Sequence, residues 1–200
     1  CLVGSEMCIR DRVKSSMVAL GSGGADVDIQ IPEFAKGAVA VRLDGRLDEG
    51  VWEQVPGYDN MLVMDPDTLA DTRYKTDARF FYTDEGLFIG VYMQQPRETL
   101  IARLSSRDEF INRDSIGITL DTSGEGLYGY WFVVNLGGSV MDGKVAAERQ
   151  FSREWDGPWS SGTAELEDGW SAEMFLPWSM MTMADAQDGK RELGFWIIRK

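Results

Sequence analysis

The sequence predicts an all-β protein, an antiparallel β-sandwich of the jelly-roll or immunoglobulin-like kind. Three observations carry that expectation. From Val39 onward apolar residues recur with period two rather than 3.6. Gly-containing turns separate these runs at spacings of roughly 8–20 residues. Helical periodicity is weak everywhere; its best stretches are Glu98 to Leu104 and Trp178 to Ala186.

In order, VAVRLDG (39–45) reads as a strand and DEGVWEQV (48–55) as a short helix or turn carrying Trp52. ARFFYT and LFIGVYM flank Asp84-Glu85-Gly86, the pattern of a β-hairpin with a three-residue Gly-containing loop. SIGITLD (115–121) is a strand, and Ser123 to Gly126 a turn. YGYWFVVNL (128–136) is apolar on both faces, as a central buried strand would be. Gly137-Gly138 interrupts it before SVMDG. TAELEDG and WSAEMFL form a second hairpin that Pro177 stops, and FWIIR is the last strand. No internal repeat or linker is visible within 39–200.

The ends read differently. Cys1 to Arg12 (CLVGSEMCIRDR) shows no strand or helical period and resembles translated sequencing-adapter read-through, so 1–12 is set apart from the fold. Residues 13–38 are Gly-, Ser- and Ala-rich, then acidic, and read as a linker or the remnant of a signal peptide. FWIIRK stops inside an apolar run, so the 39–200 sandwich is expected to be incomplete at its C-terminus.

Composition excludes several chemistries. The chain has 200 residues, 20 Lys and Arg against 33 Asp and Glu, and a formal net charge of −13. It has no His, which removes Ser-His-Asp and Cys-His nucleophiles and His-ligated zinc or haem. Its only Cys are Cys1 and Cys8. The acidic balance argues against nucleic acid and against an anionic membrane surface. No stretch approaches the roughly 18 apolar residues of a membrane helix.

What remains is aromatic and acidic. Trp155 and Trp159 flank Asp156-Gly157-Pro158, offering two indoles on one turn with a carboxylate between them. Sugars present apolar C–H faces and hydroxyl edges, so aromatic platforms rimmed by charged groups suit them. Trp52, Trp131, Trp170 and Trp196 lie in strand or packing contexts and read as core. Asp108, Asp114, Asp156 and Glu173 are the carboxylates a glycoside-hydrolysing pair would draw on. Asp44, Asp48, Glu49 and Asp77 cluster near the domain start and raise structural calcium, although no stretch has EF-hand spacing. Arg107-Asp108 and Asp114 suggest an Arg–carboxylate brace between strands. GSGGA lacks the following helix that a phosphate loop needs.

The order of these pieces resembles the family 9 carbohydrate-binding module and its DOMON-like relatives. VRLDGRLDEGVWEQV looks like the opening strand and turn, and TDARFFYTDEGLFIGVYM like the paired strands that follow. RDEFINRDSIGITLDT and YGYWFVVNLGGSVMDG supply Arg107-Asp108, Asp114-Ser115, Asn135 and Asp142. WDGPW and GWSAEMFLPW supply Trp155, Asp156, Trp159, Trp170, Glu173 and Pro177. The resemblance spans about 39–200 and is nearest to modules at the N-terminus of large bacterial envelope proteins, ahead of a barrel-like region.

It implies a non-catalytic sugar-binding module of a larger extracytoplasmic protein (periplasm, outer membrane or secreted) associated with carbohydrate catabolism. The expected saccharide contacts are Trp155, Trp159, Asp156, Asn135 and Arg107, with no metal ligand among them. The alternatives are a structural domain docking on the downstream part of its own polypeptide, and part of a glycoside hydrolase. In the sugar-binding members a Trp, an acid and an Arg contact sugar where this chain has Ile111, Gly117 and Val133; only Asn135 matches. The second sandwiching Trp of those members would lie beyond Lys200.

Overall fold

In a computed structural model of the chain, the residues described are 7–14 (backbone only), 29–63, 68–147, 150–185 and 192–200. Residues 1–6, most of the 13–38 segment including GSGGA, and the end of the Trp178 to Ala186 helix candidate lie outside them.

Twelve strands and one short helix occur among the described residues. They are β1 (Met7–Lys14), α1 (Gly50–Gln54), β2 (Gly57–Tyr58), β3 (Leu62–Val63), β4 (Thr76–Tyr82), β5 (Gly86–Gln94), β6 (Ser115–Asp121), β7 (Tyr128–Asn135), β8 (Val140–Ala146), β9 (Gln150–Ser152), β10 (Ser160–Glu165), β11 (Gly169–Pro177) and β12 (Glu192–Arg199). A seven-stranded sheet runs β3-β1-β12-β6-β7-β8-β9, and a five-stranded sheet runs β10-β11-β5-β4-β2. All ladders between these strands are antiparallel. The all-β sandwich expectation holds, and no helix among the described residues is long and apolar enough to cross a membrane.

Alternation decides which side chains meet. On the five-stranded sheet Phe80, Ile89, Val91, Trp170 and Met174 face inward; on the seven-stranded sheet Ile116, Ile118, Phe132, Val134 and Ile197 face them. Each fully buried side chain of this size contributes roughly 1.5–3 kcal/mol. Arg199 ties the sheets at one end: its guanidinium, 1% exposed, donates to Thr76 Oγ1 at 2.8 Å and to the Gln94 carbonyl at 2.6 Å. Burial lowers its pKa to about 10, still far above neutrality.

Several expectations are corrected. VAVRLDG forms no strand. It crosses the outer face of the five-stranded sheet, where side chains satisfy its backbone: Arg42 N donates to Glu49 Oε1 and Gly45 N to Glu173 Oε2, both at 2.9 Å. Of the two helix candidates, only 3-10 turns form, at Arg97–Thr99 and Trp178–Met180. Within 1–12, Met7–Arg12 does enter a strand. Met7–Lys14 pairs with β12 from Met7↔Arg199 to Lys14↔Glu192, because backbone pairing along a strand edge needs no side-chain period.

The five-stranded sheet is covered on its outer face as well. Phe81, Phe88 and Phe175 lie there in one cross-strand row, Phe81 and Phe88 stacked at 4.7 Å. Val51, Trp52 and Val55 of the α1 region pack over Phe81 with Phe34, Val39, Val41 and Leu47 around them. Trp52 lies across Gly90, where an added Cβ would come within 3.0 Å of the indole and 2.7 Å of the end of the Leu47 side chain, so any larger residue would have to push this cover outward. The indole N–H donates to Glu173 Oε1 at 3.0 Å, and Arg79 donates to the Trp52 carbonyl. Glu173 is fully buried, and that burial, with Glu49 and Asp44 adding negative charge nearby, pushes its pKa up to about 7 despite the donors.

Two outcomes follow. Trp52→Ala should cost about 3–5 kcal/mol in urea unfolding. The folded protein holds the Glu173 proton more tightly than the unfolded chain does, so stability should be full below pH about 4.5 and fall as pH rises to about 7. That decline should reach on the order of 3 kcal/mol, and Glu173→Gln should flatten it when unfolding is followed across the window.

Candidate aromatic and charged site

Four of the five sequence-predicted residues meet at the edge of the seven-stranded sheet. Beyond Lys144, β8 pairs with β9; before it, Val140–Gly143 have β7 on one side only. Two loops cover that free edge. The first carries Arg107 and Asp108, and its backbone is fastened there by Asp108 N donating to the Val140 carbonyl at 3.2 Å. Asp108 adopts a left-handed conformation (φ 60°), which lets its carboxylate turn back and accept from Asp142 N at 3.1 Å. Arg113, 6% exposed, braces the same loop by donating to Ser105 Oγ and to the Glu109 carbonyl.

The second loop is the WDGPW turn. Gly157 N donates to Asp142 Oδ2 at 2.6 Å. A Cβ on Gly157 would come within 2.5 Å of the Trp155 ring, so the turn closes this tightly only with glycine. Arg107 joins the two loops. Its Nε donates to Asp156 Oδ1 at 2.8 Å and lies 3.8 Å from Asp108 Oδ2, while its terminal nitrogen donates to Asp142 Oδ1. Asp142 has no exposed surface. Burial raises its pKa, and the Gly157 N–H and the Arg107 charge pull it back down. The Trp159 indole N–H acts in the same downward direction without reaching hydrogen-bond geometry.

The indoles are half-buried rather than laid out as a platform. Trp155 packs on Tyr130 at 4.8 Å and Phe132 at 6.1 Å between centroids, and Trp159 packs edge-on to Phe132 at 5.4 Å. Core aromatics of β7 reach the sheet edge and draw both rings inward, because burying their faces releases more water than leaving them open. Lys144 sits 5.9 Å from the Trp155 ring centroid and 5.8 Å from that of Tyr130. The accessible surface is therefore the rim of two indoles set among Lys144, Arg107 and Asp156.

Asn135 does not join this group. It is 1% exposed, its amide donates to the Ser139 carbonyl at 2.5 Å, and its Oδ1 is buried without a partner. It closes the β7–β8 turn and is sealed from a surface ligand. The brace expected between Arg107 and Asp114 also resolves differently. Arg107 pairs with Asp142, while Asp114 accepts from Ile101 N at 2.6 Å and from Gln95 at 3.1 Å. Asp142 is the residue that the choice of site residues missed. It stands in the SVMDG strand, and only the fold shows that its position faces inward at an open edge.

Calcium fits this group poorly. Asp108, Asp142 and Asp156 bring carboxylate oxygens within 4.8 Å of one another, a spacing a hard cation could use. The Arg107 guanidinium already neutralises them, and a metal would have to displace it. Asp44, Asp48, Glu49 and Asp77 make no such group among the described residues. Asp77 pairs with Arg79 at 3.1 Å, and Glu49 accepts from Arg42 N. The carboxylates considered for hydrolysis divide likewise: Glu173 and Asp114 are buried at separate places, and Asp108 and Asp156 both face Arg107.

Comparison with known proteins agrees with the architecture. No protein-family model and no curated protein matches the chain. Among solved structures, a family 9 carbohydrate-binding module from Caldicellulosiruptor kristjanssonii in complex with cellotriose aligns over 82% of each chain at 14% identity, with a TM-score of 0.53. The same organism's family 9 module in complex with glucose aligns over 84% of each chain at 13% identity, with a TM-score of 0.52. A Bacteroides uniformis protein named for a suggested carbohydrate-binding role aligns over 83% of this chain and 88% of its own, at 10% identity and a TM-score of 0.58.

Asp142→Ala should cost about 2–3 kcal/mol, because it leaves the buried Gly157 N–H without its acceptor and takes one of three carboxylates from Arg107. Asp156→Ala, at a side chain 70% exposed, should change stability by less than about 0.5 kcal/mol. Chemical denaturation of the two variants side by side checks that contrast. The fold is that of the family 9 carbohydrate-binding modules.

Proposed function

We propose that the chain is a non-catalytic carbohydrate-binding module of a larger extracytoplasmic bacterial protein associated with carbohydrate catabolism. The observation that carries this is the meeting of Trp155, Trp159, Arg107 and Asp156 on one sheet edge of this fold. Indole rims give apolar contact to sugar C–H groups, and Lys144, Arg107 and Asp156 give donors and acceptors to hydroxyls. The carbohydrate-bound neighbours support the ligand class. The site is shallow, so millimolar to micromolar affinity is expected. Asp142 and Gly157 hold the turn in place and act as positioning residues.

A second role, docking on a downstream part of the same polypeptide, is favoured by one observation. Gly117 and Val133 pack against each other on the outer face of the seven-stranded sheet, where the resemblance to the sugar-binding members implies an acid and an Arg.

Isothermal titration against mono- and oligosaccharides separates these roles. A sugar-binding module should give saturable heat that Trp155→Ala lowers at least tenfold, with Asp156→Ala weakening it less. An absence of heat at millimolar ligand, with the variant folded, would sink the sugar-binding role and leave docking, which co-purification of separately expressed parts then tests.

A further inference from the structure

The outer face of the five-stranded sheet is only partly covered, and the uncovered part has a definite boundary. Its successive cross-strand rows are Phe81–Phe88–Phe175, Arg79–Gly90–Glu173 and Asp77–Tyr92–Ser171. The α1 layer lies over the first two rows and stops with Trp52 above Gly90. The third row is the floor of a cavity of about 430 Å³. Arg46, Asp48, Trp52 and Glu53 wall one side, and Leu166 of the β10–β11 turn lies opposite.

Its chemistry is mixed rather than apolar. Asp77 offers carboxylate oxygens, Arg79 a guanidinium, and Tyr92 a ring whose hydroxyl is anchored to Asp168 at 2.6 Å. Asp77 and Arg79 are each mostly buried and pair with each other at 3.1 Å, so they are held rigid without a long side chain to order on binding. Carboxylates and guanidinia of both signs, beside an aromatic ring and two leucines, match a neutral ligand with many hydroxyls better than an anion or a metal ion. The volume lies within the usual range for small-ligand sites.

We infer that this cavity is a second saccharide site, for one or two sugar rings, on the opposite sheet from the Trp155–Trp159 edge. Its ligand class rests on the carbohydrate-binding role proposed above; its position does not. Asp77 and Arg79 would hold hydroxyls in paired hydrogen bonds, and Tyr92 would face the ring. Two sites on opposite sheets would let one module bridge two chains of a polymer, raising avidity without a tight single site.

The test is an NMR titration of the full chain with glucose and with cellotriose, following the indole N–H signals. The Trp52 N–H, bonded to Glu173 beside the cavity, reports on this site; Trp155 and Trp159 report on the other. Saturable shifts at Trp52 that Asp77→Asn weakens about tenfold, while those of Trp155 and Trp159 persist, are the expected result. Glu53→Ala, on the exposed wall, should weaken them also and serves if Asp77→Asn fails to fold. Shifts confined to Trp155 and Trp159 would overturn the second site and leave the proposed function standing. Shifts confined to Trp52 would keep the cavity and overturn the sheet-edge site. No shift at any of the three with either sugar would overturn both.

Discussion

Burial of the Glu173 carboxylate beneath Trp52 is the interaction on which one half of this molecule depends. A sheet whose outer face carries Phe81, Phe88 and Phe175 cannot be left to water. The segment that covers it has no ladder to join, so its polar groups must be met by side chains. Glu173 meets two of them at once, Gly45 N and the Trp52 indole N–H. The cost is a carboxylate held away from solvent and close to other acids, which is why its proton is retained toward neutral pH. The cavity beyond Trp52 is a consequence of the same arrangement: the cover ends where its anchor ends.

The other half is organised by Arg107. A β-strand with an open edge exposes unpaired backbone groups. Here two loops close over it, and one guanidinium holds carboxylates from both loops and from the strand itself. Arg suits this task because its planar fork binds several carboxylate oxygens in fixed directions. The same charge leaves little room for calcium, although the acids alone would look like a cation site. The aromatic rings nearby serve packing, since their faces are pressed on Tyr130 and Phe132 of β7.

The fold and the ligand therefore stand on different evidence. Sandwich geometry follows from alternation and is common to structures only 10–14% identical to this chain. What a site binds is set by particular side chains rather than by the scaffold, so a shared fold does not carry a ligand with it.

The sequence by itself determined the strands, because period two is a local property written into each run: β4 through β8, β10, β11 and β12 all fall where alternation places them. It also determined the buried tryptophans Trp52, Trp131 and Trp170, though Trp196, read as core with them, is only half-buried, and it excluded His-dependent chemistry in this chain. It misled where partners are distant. VAVRLDG has strand composition but lies on a sheet face with no strand to pair with, and Met7–Lys14 pairs through its backbone without any period to announce it. Asn135 looks like a surface contact in a motif and is sealed in a turn. Only the tertiary structure could bring Asp142 to Arg107 across 35 residues, or Trp52 to Glu173 across 121. Those contacts are set by which strand lies beside which, and nothing in local composition encodes that choice.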